Sequence, residues 1–195
     1  RLQAFLEHDV LPLIPEEGSV GASGDLTPLS YVAATLSGER DVLYKGERRS
    51  SADVHRELGW TPLVLRPKEA LALMNGTAVM TALACLAFSR ADYLLKLATR
   101  ITALNVVALE GNPEHFDERL FAAKPHPGQM QVAAWLRQDL AIDAPTAPLH
   151  RLQDRYSLRC APHVLGVLAD SLGLLRQFIE TELNSANDNP LIDAE

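Results

Sequence analysis

The sequence predicts an all-α protein that forms part of a long-helix bundle, and three observations predict it. Apolar residues recur at helical spacing along most of the 195 residues. Residues 77–109 are rich in Ala and Leu and nearly free of charge in their first half, and a helix apolar all round is one buried on all sides. No two strong strand segments are available to pair. The elements follow in order. Leu2, Phe5 and Leu6 give an opening helix its apolar face. Thr27-Pro28 supplies an N-cap and a first-turn proline for a helix over 27–36, and Gly38 stops it. Residues 41–49, polar around Lys45-Gly46, make a small loop or hairpin. A short helix over 51–58 closes at Gly59. Pro67 opens a helix over 68–74, and Asn75-Gly76 interrupts it before the long helix 77–109, which Gly111 ends. Short helices over 116–123 and 129–140 precede a proline-marked loop, 143–148. A final helix over 162–183 carries Val164, Leu165, Leu168, Leu172, Leu175 and Ile179 on one stripe. The chain starts at Arg1 inside a helical pattern and stops at Glu195 just after a turn signal, so residues 1–195 read as a single partial domain of a longer protein.

Composition narrows the function. With 18 basic against 25 acidic residues the net charge is −7, which disfavours binding to a nucleic-acid backbone. The longest apolar region, near 77–88, is soon broken by Arg90 and Asp92, so no membrane span is expected; no signal-peptide pattern is read either. Two distant cysteines, Cys85 and Cys160, suggest no disulfide framework and a reducing, cytoplasmic setting, with Cys85 in the core. Six histidines form no zinc spacing, so no metal is expected. Among them His126, between two prolines, shapes a turn, and His163 is structural or sits behind a site. The Glu16-Glu17 and Glu180/Glu182 pairs read as solvated surface.

The most unusual stretch is Gly18-Ser19-Val20-Gly21-Ala22-Ser23-Gly24-Asp25-Leu26. It is no phosphate loop, because no Gly-Lys-Ser/Thr follows, and no nucleophile elbow, because Gly-x-Ser-x-Gly does not align on Ser23. As a bland loop it could still offer its amides to an anion. One chemistry uses all of Ala22, Ser23 and Gly24. The Gly24 nitrogen attacks the Ala22 carbonyl and closes a five-membered ring. Loss of water there and from Ser23 leaves an exocyclic methylene. Glycine permits the close approach, and the surroundings must compress the loop. The product, 4-methylidene-imidazole-5-one, is an electrophile made from the chain itself.

The segment Gly-Ser-Val-Gly-Ala-Ser-Gly-Asp-Leu-Thr-Pro-Leu-Ser resembles the cofactor segment of the histidine and phenylalanine/tyrosine ammonia-lyases and related aromatic aminomutases. Four further motifs resemble the same family in the same order: Leu73-Met74-Asn75-Gly76-Thr77, Lys124-Pro125-His126-Pro127-Gly128-Gln129, Gln153-Asp154-Arg155-Tyr156-Ser157-Leu158-Arg159-Cys160, and Asn184-Ser185-Ala186-Asn187-Asp188-Asn189-Pro190-Leu191. Together they cover nearly the whole chain.

The resemblance implies a bundle of the ammonia-lyase/fumarase-like type, assembled as a homotetramer whose sites draw on several chains. It implies the electrophile from Ala22, Ser23 and Gly24, with Asp25 assisting ring closure, and no nucleotide. Asn75 would hydrogen-bond the cofactor or the substrate's amine. Arg159 would pair with the substrate carboxylate, to which a guanidinium fork is suited. Tyr156 and Gln153 would line the site, and Asn189 would help hold the substrate carboxylate or neighbouring groups. Each also has a plain reading as a surface charge or turn residue; the set of five motifs favours function. The family's base is a tyrosine well upstream of the cofactor, a region this sequence does not include; Tyr31 and Tyr44 follow the cofactor. The implied reaction eliminates ammonia from an aromatic L-amino acid to give a trans-arylacrylate. Gln-Asp-Arg-Tyr and Asn-Ser-Ala-Asn-Asp-Asn-Pro lean toward phenylalanine or tyrosine as substrate. Histidine ammonia-lyase, aromatic 2,3-aminomutase and an inactive helical assembly module are the alternatives.

Overall fold

The computed structural model describes residues 1–18, 24–140 and 152–187. Helices dominate, as expected, and the chain falls into two compact units, one of residues 1–83 and 183–195, the other of residues 84–182. The expected loop 143–148 and the site residues Ala22, Ser23 and Asn189 lie outside the described residues.

The first unit opens with α1 (Leu2–Glu7) and β1 (Val10–Pro12). Helix α2 (Leu26–Leu36) follows, then β2 (Asp41–Tyr44), β3 (Glu47–Ser50) and α3 (Ser51–Glu57). The expected hairpin is present. Lys45 and Gly46 both take positive φ, 50° and 86°, as a two-residue turn between antiparallel strands requires. The expectation that no two strong strands are available to pair is corrected: besides the hairpin, β1 pairs antiparallel with β2, Val10 opposite Tyr44 and Pro12 opposite Val42. Pro12 is tolerated because β1 is an edge strand. Phe5, Val10, Leu36, Val42, Tyr44 and Val54 close a small core over this sheet.

One detail of α2 differs from the sequence reading, while the two helices that follow α3 match it to within a residue. The N-cap of α2 is Asp25, not Thr27, and its side chain does not cap its own helix. Helix α4 (Glu69–Met74) is closed by Asn75, and α5 (Ala78–Ala108) follows.

In the second unit α5 ends where the Gly111 N–H reaches back to the Val106 carbonyl at 2.8 Å. The single helix expected over 116–123 is instead a 3-10 turn, Pro113–Phe116, followed by α6 (Glu118–Ala122). Then come α7 (Pro127–Asp139), α8 (Tyr156–Arg159) and α9 (Ala161–Leu183). The core joins Leu95, Ala103 and Val106 of α5 to Phe116, Val132, Leu136, Leu158 and Leu172.

Full burial of the long helix is corrected too. Leu86 is 56% exposed, Leu94 57% and Leu104 70%, so only one stripe of α5 is covered by this chain. Cys85 is half-buried rather than core, and both cysteines are unpaired. On α9, Leu165, Leu168 and Leu172 pack inward, while Val164 and Leu175 of the expected stripe are exposed. The stretches Glu69–Ala108 and Tyr156–Leu183 are long and apolar enough to cross a membrane by length and composition. That corrects the expectation that no stretch reaches spanning length: no charge falls between Glu69 and Arg90.

Candidate functional site

Gly24 and Asp25 are held from the N-terminal end of α5. The first N–H groups of a helix have no partner within it. Here Asp25 Oδ2 accepts those of Val79 and Met80, at 2.6 and 2.9 Å. A carboxyl oxygen at this end also meets the positive pole of the helix dipole. The Asp25 N–H donates to the Gly76 carbonyl at 2.7 Å. Asp25 is fully buried, and its second oxygen, Oδ1, has no partner among the described residues. This is why Asp25 leaves its own helix uncapped: its carboxyl is spent on another helix.

Gly24 has φ +83°, and a Cβ there would lie 3.0 Å from the Gly76 oxygen and 3.1 Å from Asn75 Oδ1. Both the backbone angle and the space demand glycine. The same loop receives the chain's return. The Thr77 hydroxyl donates to Asn187 Oδ1 at 2.8 Å. Three of the five motifs, at 24–25, 75–77 and 187, therefore converge in the first unit. Asn75 keeps its plain role as the residue that ends α4 and also sits against Gly24. The residues present fit a group built from the residues that end at Gly24: a cradle that only a glycine enters, with the Asn75 amide at its wall and a buried Asp25 carboxyl oxygen with no partner among the described residues.

The second unit carries Gln153, Tyr156 and Arg159. Leu158 is buried and anchors α8 in the core. Gln153 is exposed and Tyr156 is 73% exposed. The Arg159 guanidinium lies over the Tyr156 ring, 4.2 Å from its centre, so the ring orients the fork by cation–π attraction. Arg159 Nε donates to the Asp154 carbonyl at 3.0 Å. Asp154 Oδ2 in turn accepts the Asn112 N–H at 2.7 Å, and a Cβ at Gly111 would lie 2.9 Å from that oxygen. The Asp154 N–H donates to His115 Nε2 at 3.0 Å. An open cavity of about 860 Å³ borders Asn112 and His115, and neither Gln153, Tyr156 nor Arg159 lines it.

The remaining motif, around His126, is a helix junction. His126 is the N-cap of α7, as the turn reading expected, and Pro127 is its first residue. Gly128 N–H donates to Asp170 Oδ1 at 2.6 Å. A Cβ at Gly128 would collide with the Gly166 oxygen, and one at Gly166 would lie 2.6 Å from the Gln129 backbone. Two glycines thus let α7 and α9 touch backbone to backbone. His163 packs on Phe121, ring centres 5.3 Å apart, which is the structural role expected for it.

The residues that sequence reading passed over are Asp154, His115 and Asp170. Asp154 stands inside a quoted motif, but its work is done through main-chain contacts with residues some 40 positions earlier, a pairing that no local pattern encodes. Among the described residues no group of acidic, histidine or cysteine side chains could hold a metal ion.

Comparison with known proteins bears on the whole chain. A family model described as aromatic amino acid lyase matches residues 1–195. A histidine ammonia-lyase from Koribacter versatilis is 45% identical over 191 residues, covering 96% of this chain and 37% of the relative. A tyrosine 2,3-aminomutase from Chondromyces crocatus is 43% identical over 213 residues, 98% of this chain and 40% of the relative. The crystal structure of a phenylalanine ammonia-lyase from Rhodosporidium toruloides superposes with a TM-score of 0.89 at 37% identity, over 98% of this chain and 31% of that one. The chain spans well under half the length of these relatives.

Proposed function

The chain belongs to the aromatic amino acid lyase family, and from that premise we propose that the full-length protein is an ammonia-lyase, eliminating ammonia from an aromatic L-amino acid to give a trans-arylacrylate. The observation that carries the reading is the cradle at Gly24, with Asp25 tied to the N-terminus of α5 and Asn75 against the glycine. Ala22, Ser23 and Gly24 would hold the methylidene-imidazolone as part of the chain. Once formed, that ring supplies an electrophile that turns the substrate's amine into a better leaving group.

The chain's own residues do the rest. The α5 N-terminus fixes Asp25 and, with it, the backbone that leaves Gly24. Asn75 offers an amide to the substrate's amine or to the ring. Arg159 presents a guanidinium to the substrate carboxylate, held flat by Tyr156 beneath it. Gln153 and Asn189 complete the polar lining. The reading includes a cytoplasmic homotetramer with shared sites and with no nucleic-acid or membrane partner. The apolar faces that α5 leaves uncovered support the assembly.

Relatives give the lean toward phenylalanine and tyrosine no support, so histidine is the first substrate to assay. A second reading, an aromatic 2,3-aminomutase, is favoured by the similarity to the tyrosine enzyme. One experiment decides. The full-length protein is incubated with histidine, phenylalanine and tyrosine, and products are separated by chromatography. A trans-arylacrylate or urocanate as main product supports the lyase; a β-amino acid supports the aminomutase. The peptide bearing Ala22-Ser23-Gly24 should be lighter by two waters, and Ser23→Ala should abolish both that loss and turnover. No product from any of the three, with an unmodified peptide, rejects the proposal.

A further inference from the structure

Arg159 sits on a helix of only four residues, too short to hold a side chain by its own hydrogen bonding. What fixes it is Asp154, and what fixes Asp154 is His115. The Asp154 carbonyl accepts Arg159 Nε at 3.0 Å. The Asp154 N–H donates to His115 Nε2 at 3.0 Å. A backbone N–H can only donate, so His115 Nε2 serves as the acceptor in this bond. The Asp154 carboxyl, 3.7 Å from the same nitrogen, is held by the Asn112 N–H at 2.7 Å. The His115 and Asp154 side chains are only 15% and 9% exposed, so these bonds are shielded from competing water. Asn112 is itself buried and caps the turn that carries His115, accepting the Glu114 N–H at 2.9 Å. The sequence 111–115 is thus a rigid shelf on which residue 154 rests.

We propose that His115 is a positioning residue for Arg159: it holds Asp154 in place, and Asp154 sets the guanidinium so that its outer nitrogens meet the substrate carboxylate. This rests on the reading that Arg159 binds that carboxylate. His115 touches neither substrate nor ring, so its loss should weaken substrate capture and leave the chemical step alone.

The test uses the full-length enzyme, the aromatic amino acid it turns over, and calorimetric binding of the matching arylacrylate as a readout that needs no turnover. His115→Leu removes the acceptor. It should raise KM and the arylacrylate Kd roughly tenfold, the range for stranding one buried donor. The kcat should stay within about twofold and the two-water loss of the ring peptide should be complete. His115→Gln places an amide oxygen where Nε2 was and should bring KM back to within about threefold. In the Arg159→Ala background the His115→Leu penalty should vanish, because a residue that acts only through Arg159 has nothing left to act on. If His115→Leu fails to fold, His115→Asn, whose amide stops short of the Asp154 N–H, replaces it. An unchanged KM and Kd in His115→Leu, equal defects in His115→Leu and His115→Gln, or a penalty that persists in the Arg159→Ala background each overturn the inference. Unchanged KM and Kd in Arg159→Ala overturn the underlying carboxylate reading instead, and this inference with it.

Discussion

Replacing Arg159 should register directly in kcat/KM. Truncating one partner of a buried ion pair costs about 2–5 kcal/mol, so Arg159→Ala should lower kcat/KM by at least about 30-fold while ring formation and assembly persist. Arg159→Lys should recover only part, since an ammonium cannot reproduce the fork. Steady-state kinetics of the full-length variants check this, and near-normal values in Arg159→Ala would sink the assignment. A second residue is titratable and buried without a partner. His55 is 1% exposed, both ring nitrogens lack a hydrogen-bond partner among the described residues, and the Phe5 and Trp60 rings pack against it at 5.8 and 5.7 Å. Burial, and then the Arg1 charge, hold its pKa below the ordinary 6.5. The unfolded chain therefore takes up this proton at higher pH than the folded one, and stability rises with pH. Its contribution is complete above about pH 6.5 and is lost as pH falls toward the lowered folded value. His55→Leu should flatten the acid limb of the melting temperature and leave the protein at least as stable at pH 8, where two unpartnered nitrogens are removed. An unchanged acid limb would refute it. The contrast with Arg159 says what is legible at this scale. Ser23 and Arg159 are picked out by the sequence because their side-chain chemistry stands inside a local motif, which makes them the residues to test. His115 works through its side-chain Nε2, and Asp154 through its carboxyl, N–H and C=O; the partners that join them to the 112–115 turn lie 39 and 42 positions apart in sequence, so no local motif marks either.

Among elements, the α7–α9 junction makes the sharpest demand. A Cβ at Gly166 would lie 2.6 Å from both Gln129 Cα and N, atoms of a helix backbone that cannot rotate away. Overpacking of this kind costs about 1–3 kcal/mol, so Gly166→Ala should lower the melting temperature by several degrees. Gly173 on the same helix meets nothing within 4 Å. Gly173→Ala should be neutral or stabilising by up to about 1 kcal/mol, the helix-propensity difference. Thermal unfolding of the pair reads the contrast, and equal effects would mean that the close crossing is absent in solution. Helices α3, α4 and α5 were legible because each is bounded by residues with a physical reason to stop one: Gly59 after α3, Asn75-Gly76 between α4 and α5, Gly111 after α5; α8, only four residues long, carries no such mark. Strand β1 was not legible, since three residues ending in proline acquire strand character only by pairing with residues 30 to 34 positions later. The stripe on α9 was half right for a related reason. Periodicity identifies an apolar face but not how much of it this chain covers, and Val164 and Leu175 belong to the uncovered part.

That uncovered part sets the behaviour of the molecule as a whole. Leu83, Leu86, Leu94, Leu104 and Val107 of α5 are each more than half exposed, as are Val164, Val167, Leu174 and Phe178 of α9. Soluble monomers rarely expose contiguous apolar patches of such extent, and those that do aggregate or associate. The matched relatives are more than twice as long as this chain, and the proposed homotetramer adds further copies, so both supply surface to cover these faces. Ring closure at Gly24 is expected to need the same support, although the cradle's own contacts come from residues 24–80 of this chain. A loop compressed enough to cyclise keeps its strain only where its surroundings enforce it, and the resemblance that assigns the electrophile also places the tyrosine base upstream of residue 1. We therefore expect residues 1–195 expressed alone to show no lyase activity, to elute from size exclusion as soluble aggregates, and to keep an unmodified Ala22-Ser23-Gly24 peptide. The measurement is side by side: fragment and full-length protein purified alike, arylacrylate followed by absorbance, and the peptide weighed in both. Turnover by the fragment comparable to that of the full-length enzyme would place the base within these residues. A monodisperse monomer would mean that the apolar faces of α5 and α9 close on each other in ways this chain already encodes.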